Sequence, residues 1–108
     1  MFYLIYSTTN DFKQKEIMKL SEMIKKSAVK LELGSRDKDA ALKELVGLLC
    51  DAHRIRNRVK VLDAIITREA RQSTGIGMGL AVPHAKTAEV DKLYLCLALS
   101  REGIDFYS

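Results

Sequence analysis

The stretch Ser73-Thr74-Gly75-Ile76-Gly77-Met78-Gly79-Leu80-Ala81-Val82-Pro83-His84-Ala85-Lys86 carries more chemistry than any other part of this 108-residue chain. Its three alternating glycines expose backbone N–H groups with no Cβ in the way. The apolar run that follows is short enough to read as a buried strand. Pro83, the only proline of the sequence, fixes its own φ and restrains Val82, so His84 departs in a defined direction. An imidazole at a strand end beside a donor-rich loop suits a phosphoryl group. The glycine spacing is not the dinucleotide fingerprint, because a predicted helix precedes it and the third glycine falls wrongly. It also lacks the lysine and hydroxyl residue that end a P-loop. A plain connecting turn remains the alternative for the glycines taken alone.

Working outward, Gly34-Ser35-Arg36-Asp37 is a turn in which Asp37 is placed to cap a helix running to about Ala52. Leu42, Leu45, Val46 and Leu49 share one face of that helix. Asn57 caps a second helix, with Val61, Leu62, Ile65 and Ile66 inward and an end near Arg71, just before the glycine loop. Val29, Leu31 and Leu33 alternate with Lys30 and Glu32 as in a half-buried strand. Leu93 to Leu99 is apolar on both faces and predicts a central strand. A short helix is expected through Leu20, Met23 and Ile24, while Ser7 to Asp11 reads as a turn or loose segment. Alternating strands and helices give the α/β class, a mixed sheet with helices packed on its faces.

A chain of 108 residues with 47% hydrophobic content predicts one globular domain. No apolar run approaches the roughly 20 residues a bilayer span needs. Phe2 to Tyr6 is too short for the core of a signal peptide, so a cytoplasmic location is the expectation. The formal charge is +4. Its one basic concentration, Arg54, Arg56, Arg58 and Lys60, reads as a solvated helix approach rather than a nucleic-acid surface. Cys50 and Cys96 lack metal-ligand spacing and read as small buried residues. His53 reads as a favourable partner for a helix C-terminus.

Arg68-Glu69-Ala70, Ser73 to Gly77, Gly79, Ala81, Pro83 and His84 together resemble a run found in the enzyme IIA domains of the fructose/mannitol/nitrogen-regulatory class of the bacterial phosphotransferase system. The resemblance extends from about Met18 to Ser108 and includes Glu102-Gly103-Ile104-Asp105-Phe106, similar to that family's mid-domain turn. Residues 1–17 match no part of it and read as an extension. It implies a mannitol-type enzyme IIA fold, incomplete at the C-terminus, where the family continues into another strand and two helices and carries a second active-site histidine. An apolar strand left without its neighbour would expose an edge, which predicts pairing with another chain.

By this resemblance His84 accepts a phosphoryl group from the phosphocarrier HPr and relays it, without metal or cofactor. The acceptor is a IIB partner or, in a nitrogen-regulatory relative, a regulated protein; the absence of a IIB segment here leans toward the second. Arg68 is the candidate charge partner, its guanidinium able to fork onto phosphate oxygens; its alternative is an exposed arginine at a helix end. Ser73, Thr74, Gly75 and Gly77 are candidates for holding the phosphate, with shaping of the turn as the alternative for the two hydroxyl residues. A different class of function stays open: a non-catalytic binding module, or an inactive remnant.

Overall fold

The computed structural model describes residues 2–7, 28–77, 79–90 and 94–106. The helix expected through Leu20 to Ile24 lies outside the described residues. In chain order the elements are β1 (Phe2–Ser7), β2 (Val29–Lys30), α1 (Lys38–His53), α2 (Arg58–Arg71), β3 (Gly75–Gly77), β4 (Leu80–Ala81), β5 (His84–Thr87) and β6 (Tyr94–Ala98).

Local chemistry sets both helices. Asp37 has extended backbone and its carboxylate accepts the Ala40 N–H at 2.9 Å, satisfying one of the donors a helix start leaves unpaired. Arg54 closes α1 in the left-handed region at φ 56°, returning its N–H to the Cys50 carbonyl. Asn57 caps α2 through the Lys60 N–H at 3.3 Å. Leu42, Leu45, Val46 and Leu49 of α1 and Val61 and Ile65 of α2 are all buried and form one cluster. Burying each such side chain fully contributes about 1.5–3 kcal/mol. Leu62 is only partly buried and Ile66 is 41% exposed, so the inward stripe of α2 is narrower than its apolar pattern suggests. The expected helix boundaries are otherwise those observed.

Four strands form a mixed sheet in the order β2-β6-β1-β5. Strand β1 runs parallel to β5 and antiparallel to β6, and β2 runs parallel to β6. Helix α1 packs on β6, α2 on β5, and the helices on each other. Cys96 and Leu95 are fully buried, and His53 at the end of α1 reaches the Leu95 carbonyl at 3.1 Å while its ring lies 4.7 Å from that of Tyr94. His53 thus ties a helix end to the sheet. Burial pushes the thiols of both Cys50 and Cys96 up, the latter strongly, so both stay protonated and unreactive.

Three expectations are corrected. The strand read over Val29 to Leu33 stops at Lys30, and Leu31 is 71% exposed. Glu44 accepts hydrogen bonds from Lys30, from the Gly34 and Ser35 N–H groups and from the Ser35 hydroxyl, which draws the chain into a turn. Leu33 nevertheless regains the sheet end, donating to the Leu99 carbonyl at 2.7 Å. Second, the apolar run after the glycines is not a buried strand. Gly77 and Gly79 have φ of 85° and 75°, a region L-residues avoid, and they fold β3 and β4 into a short bulged hairpin with Leu80 40% exposed. His84 therefore opens strand β5 rather than closing a strand before it. Third, the apolar strand expected to present an open edge is β6, and it has neighbours on both sides. One of them is β1, from the segment read as an extension.

Candidate functional site

His84 and Arg68 come together. An open cleft of about 450 Å³ between α2 and β5 is lined by Asp63, Thr67, Arg68 and Arg71 on the helix and by His84 and Lys86 on the strand. The helix contributes through its 3.6-residue period: positions 64, 67, 68 and 71 share one face, and all four line the cleft. On β5 the alternation of a strand brings His84 and Lys86 to the same side, with Ala85 and Thr87 buried between and after them. Three cationic side chains thus surround the imidazole, against one carboxylate, Asp63. Arg68 donates from Nη1 to the Gln72 carbonyl at 3.0 Å, which steadies the guanidinium at the end of α2.

The imidazole is oriented by its own backbone neighbourhood. Its Nδ1 lies 2.8 Å from the Val82 carbonyl oxygen. A carbonyl oxygen only accepts, so this bond places the proton on Nδ1 and leaves the lone pair on Nε2. Val82 is held in turn, donating its N–H to the Thr74 carbonyl at 3.1 Å, and Pro83 restrains its backbone from the other side.

Ser73, Thr74, Gly75 and Gly77 are placed elsewhere. Ser73 donates its hydroxyl to the Phe106 carbonyl and accepts the Gly75 N–H at 3.1 Å. Thr74 is buried and gives both its N–H and its hydroxyl to the Glu69 carboxylate, at 2.8 and 2.7 Å. Gly75 and Gly77 line a second cavity, of about 300 Å³, with Leu80, Leu99, Ile104 and Phe106. None of the four lines the cleft that holds His84. The donors that looked available from the sequence are already engaged, those of Thr74 by Glu69 on α2 and that of Gly75 by Ser73 within the loop. Arg71, Lys86 and Asp63 were not singled out from sequence; Lys86 had a readable signal in its i+2 spacing from His84, and Arg71 in its i+3 spacing from Arg68.

Glu69 is the buried counterpart of this arrangement. It is 5% exposed, and Lys38 lies 2.9 Å from its Oε1. Burial alone would raise its pKa, but the Lys38 ammonium and the two Thr74 donors outweigh that and hold the carboxyl below the usual range. Lys38 also donates to the Phe106 carbonyl at 3.1 Å and lies over its ring. No three His, Cys, Asp or Glu side chains converge as a metal site would require among the described residues. Nor is any helix there long and apolar enough to cross a membrane.

The architecture is that of a known α/β protein. The crystal structure of the nitrogen regulatory protein IIA-Ntr from Neisseria meningitidis superposes with a TM-score of 0.60 at 20% identity, covering 77% of this chain and 73% of that one. The likeness defines the fold class. The family follows from the sequence: residues 22–108 match the model for the phosphoenolpyruvate-dependent sugar phosphotransferase system, EIIA 2, and the chain belongs to that family. Among relatives, it is 38% identical over 91 residues to the fructose-specific EIIABC component of Bacillus subtilis, spanning 84% of this chain and 14% of that protein. It is 37% identical, also over 91 residues, to the fructose-specific EIIA component of Haloferax volcanii, of which it spans 59%. A nitrogen regulatory protein of Bradyrhizobium diazoefficiens is 28% identical over the same length. The chain thus spans less than two thirds of the length of each of these relatives.

Proposed function

We propose that this protein is a histidine phosphocarrier that accepts a phosphoryl group on Nε2 of His84 from a phosphohistidine protein of the HPr type. The observation that carries the reading is the Nδ1–H bond to the Val82 carbonyl, which aims a lone pair from the only imidazole of the cleft. The Nε2 lone pair forms the new N–P bond as the donor's bond to phosphorus breaks and its electron pair returns to the donor. The Nδ1 proton stays where it is, and the positive charge the ring gains is shared with the Val82 carbonyl. Arg68 lines the same cleft and supplies the charge that balances the equatorial oxygens of the moving phosphoryl group. Positioning and charge are most of what such a transfer requires.

The onward acceptor in this reading is a IIB-type partner. What supports it is the higher identity to two fructose-specific components than to the nitrogen regulatory relative, which reverses the lean taken from the sequence. The test is to incubate the chain with phosphoenolpyruvate, enzyme I and HPr and to seek an acid-labile phosphate by intact mass. The expected result is one phosphate on the wild type and none on His84→Ala; undiminished labelling of the variant sinks the assignment.

A further inference from the structure

Glu69 is a buried carboxylate that the proposed transfer does not use. We propose that it is a positioning residue, holding His84 in its Nδ1–H tautomer through Thr74 and Val82. The inference rests on reading His84 as the nucleophile, and it adds the device that keeps the correct nitrogen free.

The connection is a continuous run of hydrogen bonds. Both Glu69 oxygens accept from one residue, the N–H and the hydroxyl of Thr74, at 2.8 and 2.7 Å. A two-point grip on a buried charged acceptor fixes the Thr74 backbone far better than one bond would. The Thr74 carbonyl thereby faces the Val82 N–H, 3.1 Å away. Val82 is pinned there at its N–H and restrained on its other side by Pro83. Its carbonyl then meets Nδ1 of His84 at 2.8 Å. Each member orients the next, and the last contact decides which ring nitrogen carries the proton. Glu69 itself sits one residue after Arg68 on α2, so one helix turn aims the charge partner into the cleft and anchors the loop beneath it. Lys38, 2.9 Å from Glu69 Oε1, keeps the carboxylate ionised and able to accept both bonds.

A carboxylate that merely joins helix to loop would affect stability alone, so the readout is the tautomer. Long-range proton–nitrogen correlation spectra of nitrogen-labelled protein report which nitrogen of His84 bears hydrogen. The wild type is expected to show Nδ1–H. Glu69→Gln and Thr74→Val are expected to raise the Nε2–H share roughly threefold to tenfold, the effect of weakening one hydrogen bond. Phosphoryl acceptance should fall in proportion to the Nδ1–H share that is lost, and Thr74→Ser, which keeps the hydroxyl, should restore both. Glu69→Gln leaves Lys38 buried with a weakened partner; if that variant does not fold, Thr74→Val carries the test, since it keeps the Lys38–Glu69 pair. Cooperatively folded variants with unchanged His84 ring shifts would overturn the proposal, as would Nε2–H in the wild type. A tautomer that shifts as expected in a protein that never accepts phosphate supports the relay and removes the carrier reading. A labelled His84 with an unmoved tautomer does the reverse.

Discussion

Arg68 stands beside His84 in the cleft, and its one described hydrogen bond inside the protein goes to the end of its own helix. A side chain with so little structural work is free to serve a ligand. Arg68→Gln is therefore expected to slow phosphoryl acceptance by about 10- to 100-fold, while shifting stability by no more than about 0.5 kcal/mol. Arg68→Lys should recover only part of the rate, because a point charge does not reproduce the fork. Rapid-quench labelling and a urea titration separate the two effects, and a variant that loses rate only in proportion to lost folding contradicts the role. The family motif singles out both Arg68 and His84, and the two line one cleft. The direction of Ser73 and Thr74 could not be read in the sequence. Their hydroxyls suit a phosphate, a carboxylate or a carbonyl, and only the tertiary partners settle it: Glu69 for Thr74 and the Phe106 carbonyl for Ser73.

Helix ends were readable for a local reason. Asp37 and Asn57 satisfy N–H groups three residues away, so a short window of sequence contains the whole cause. Strand β1 is the opposite case. It pairs Leu4 with His84 and Phe2 with Leu97, partners about eighty or more residues distant, and nothing in its immediate sequence states where it pairs. It is also the neighbour through which β5 joins the sheet. Removal of residues 1–7 is accordingly expected to unfasten β5, lowering the thermal midpoint by several degrees and reducing phosphoryl acceptance together. Hydrogen exchange at Ala85 and Thr87 gives the local measure. Retained protection there, with a retained midpoint, would show that β1 is not what holds the strand carrying the imidazole.

Across the whole molecule, two carboxylates each join a helix to a neighbouring loop. Burial tends to raise the pKa of Glu44, but Lys30, Ser35 and Gly34 outweigh it and bring the value from 4.5 to about 2. Glu69 is lowered likewise by Lys38 and Thr74. A group that binds its proton less tightly when folded contributes stability that is present above its unfolded pKa and lost as pH falls through the folded one. For Glu44 the loss should run between about 4.5 and 2, seen as a urea midpoint that drops across that window. Glu44→Gln should flatten its share of the slope and cost about 1–3 kcal/mol at neutral pH; an unchanged slope would show that the charge is not coupled to folding. The two clamps also mark the division between what was local and what was not. The sequence by itself determined the helices and their caps, the α/β class and the family motif, because each depends on residue type at short spacing. Only the tertiary structure decided that β1 enters the middle of the sheet, that Thr74 turns its donors onto Glu69, and that Nδ1 rather than Nε2 holds the proton. Those depend on which distant groups become neighbours, and sequence separation does not report distance in a folded chain.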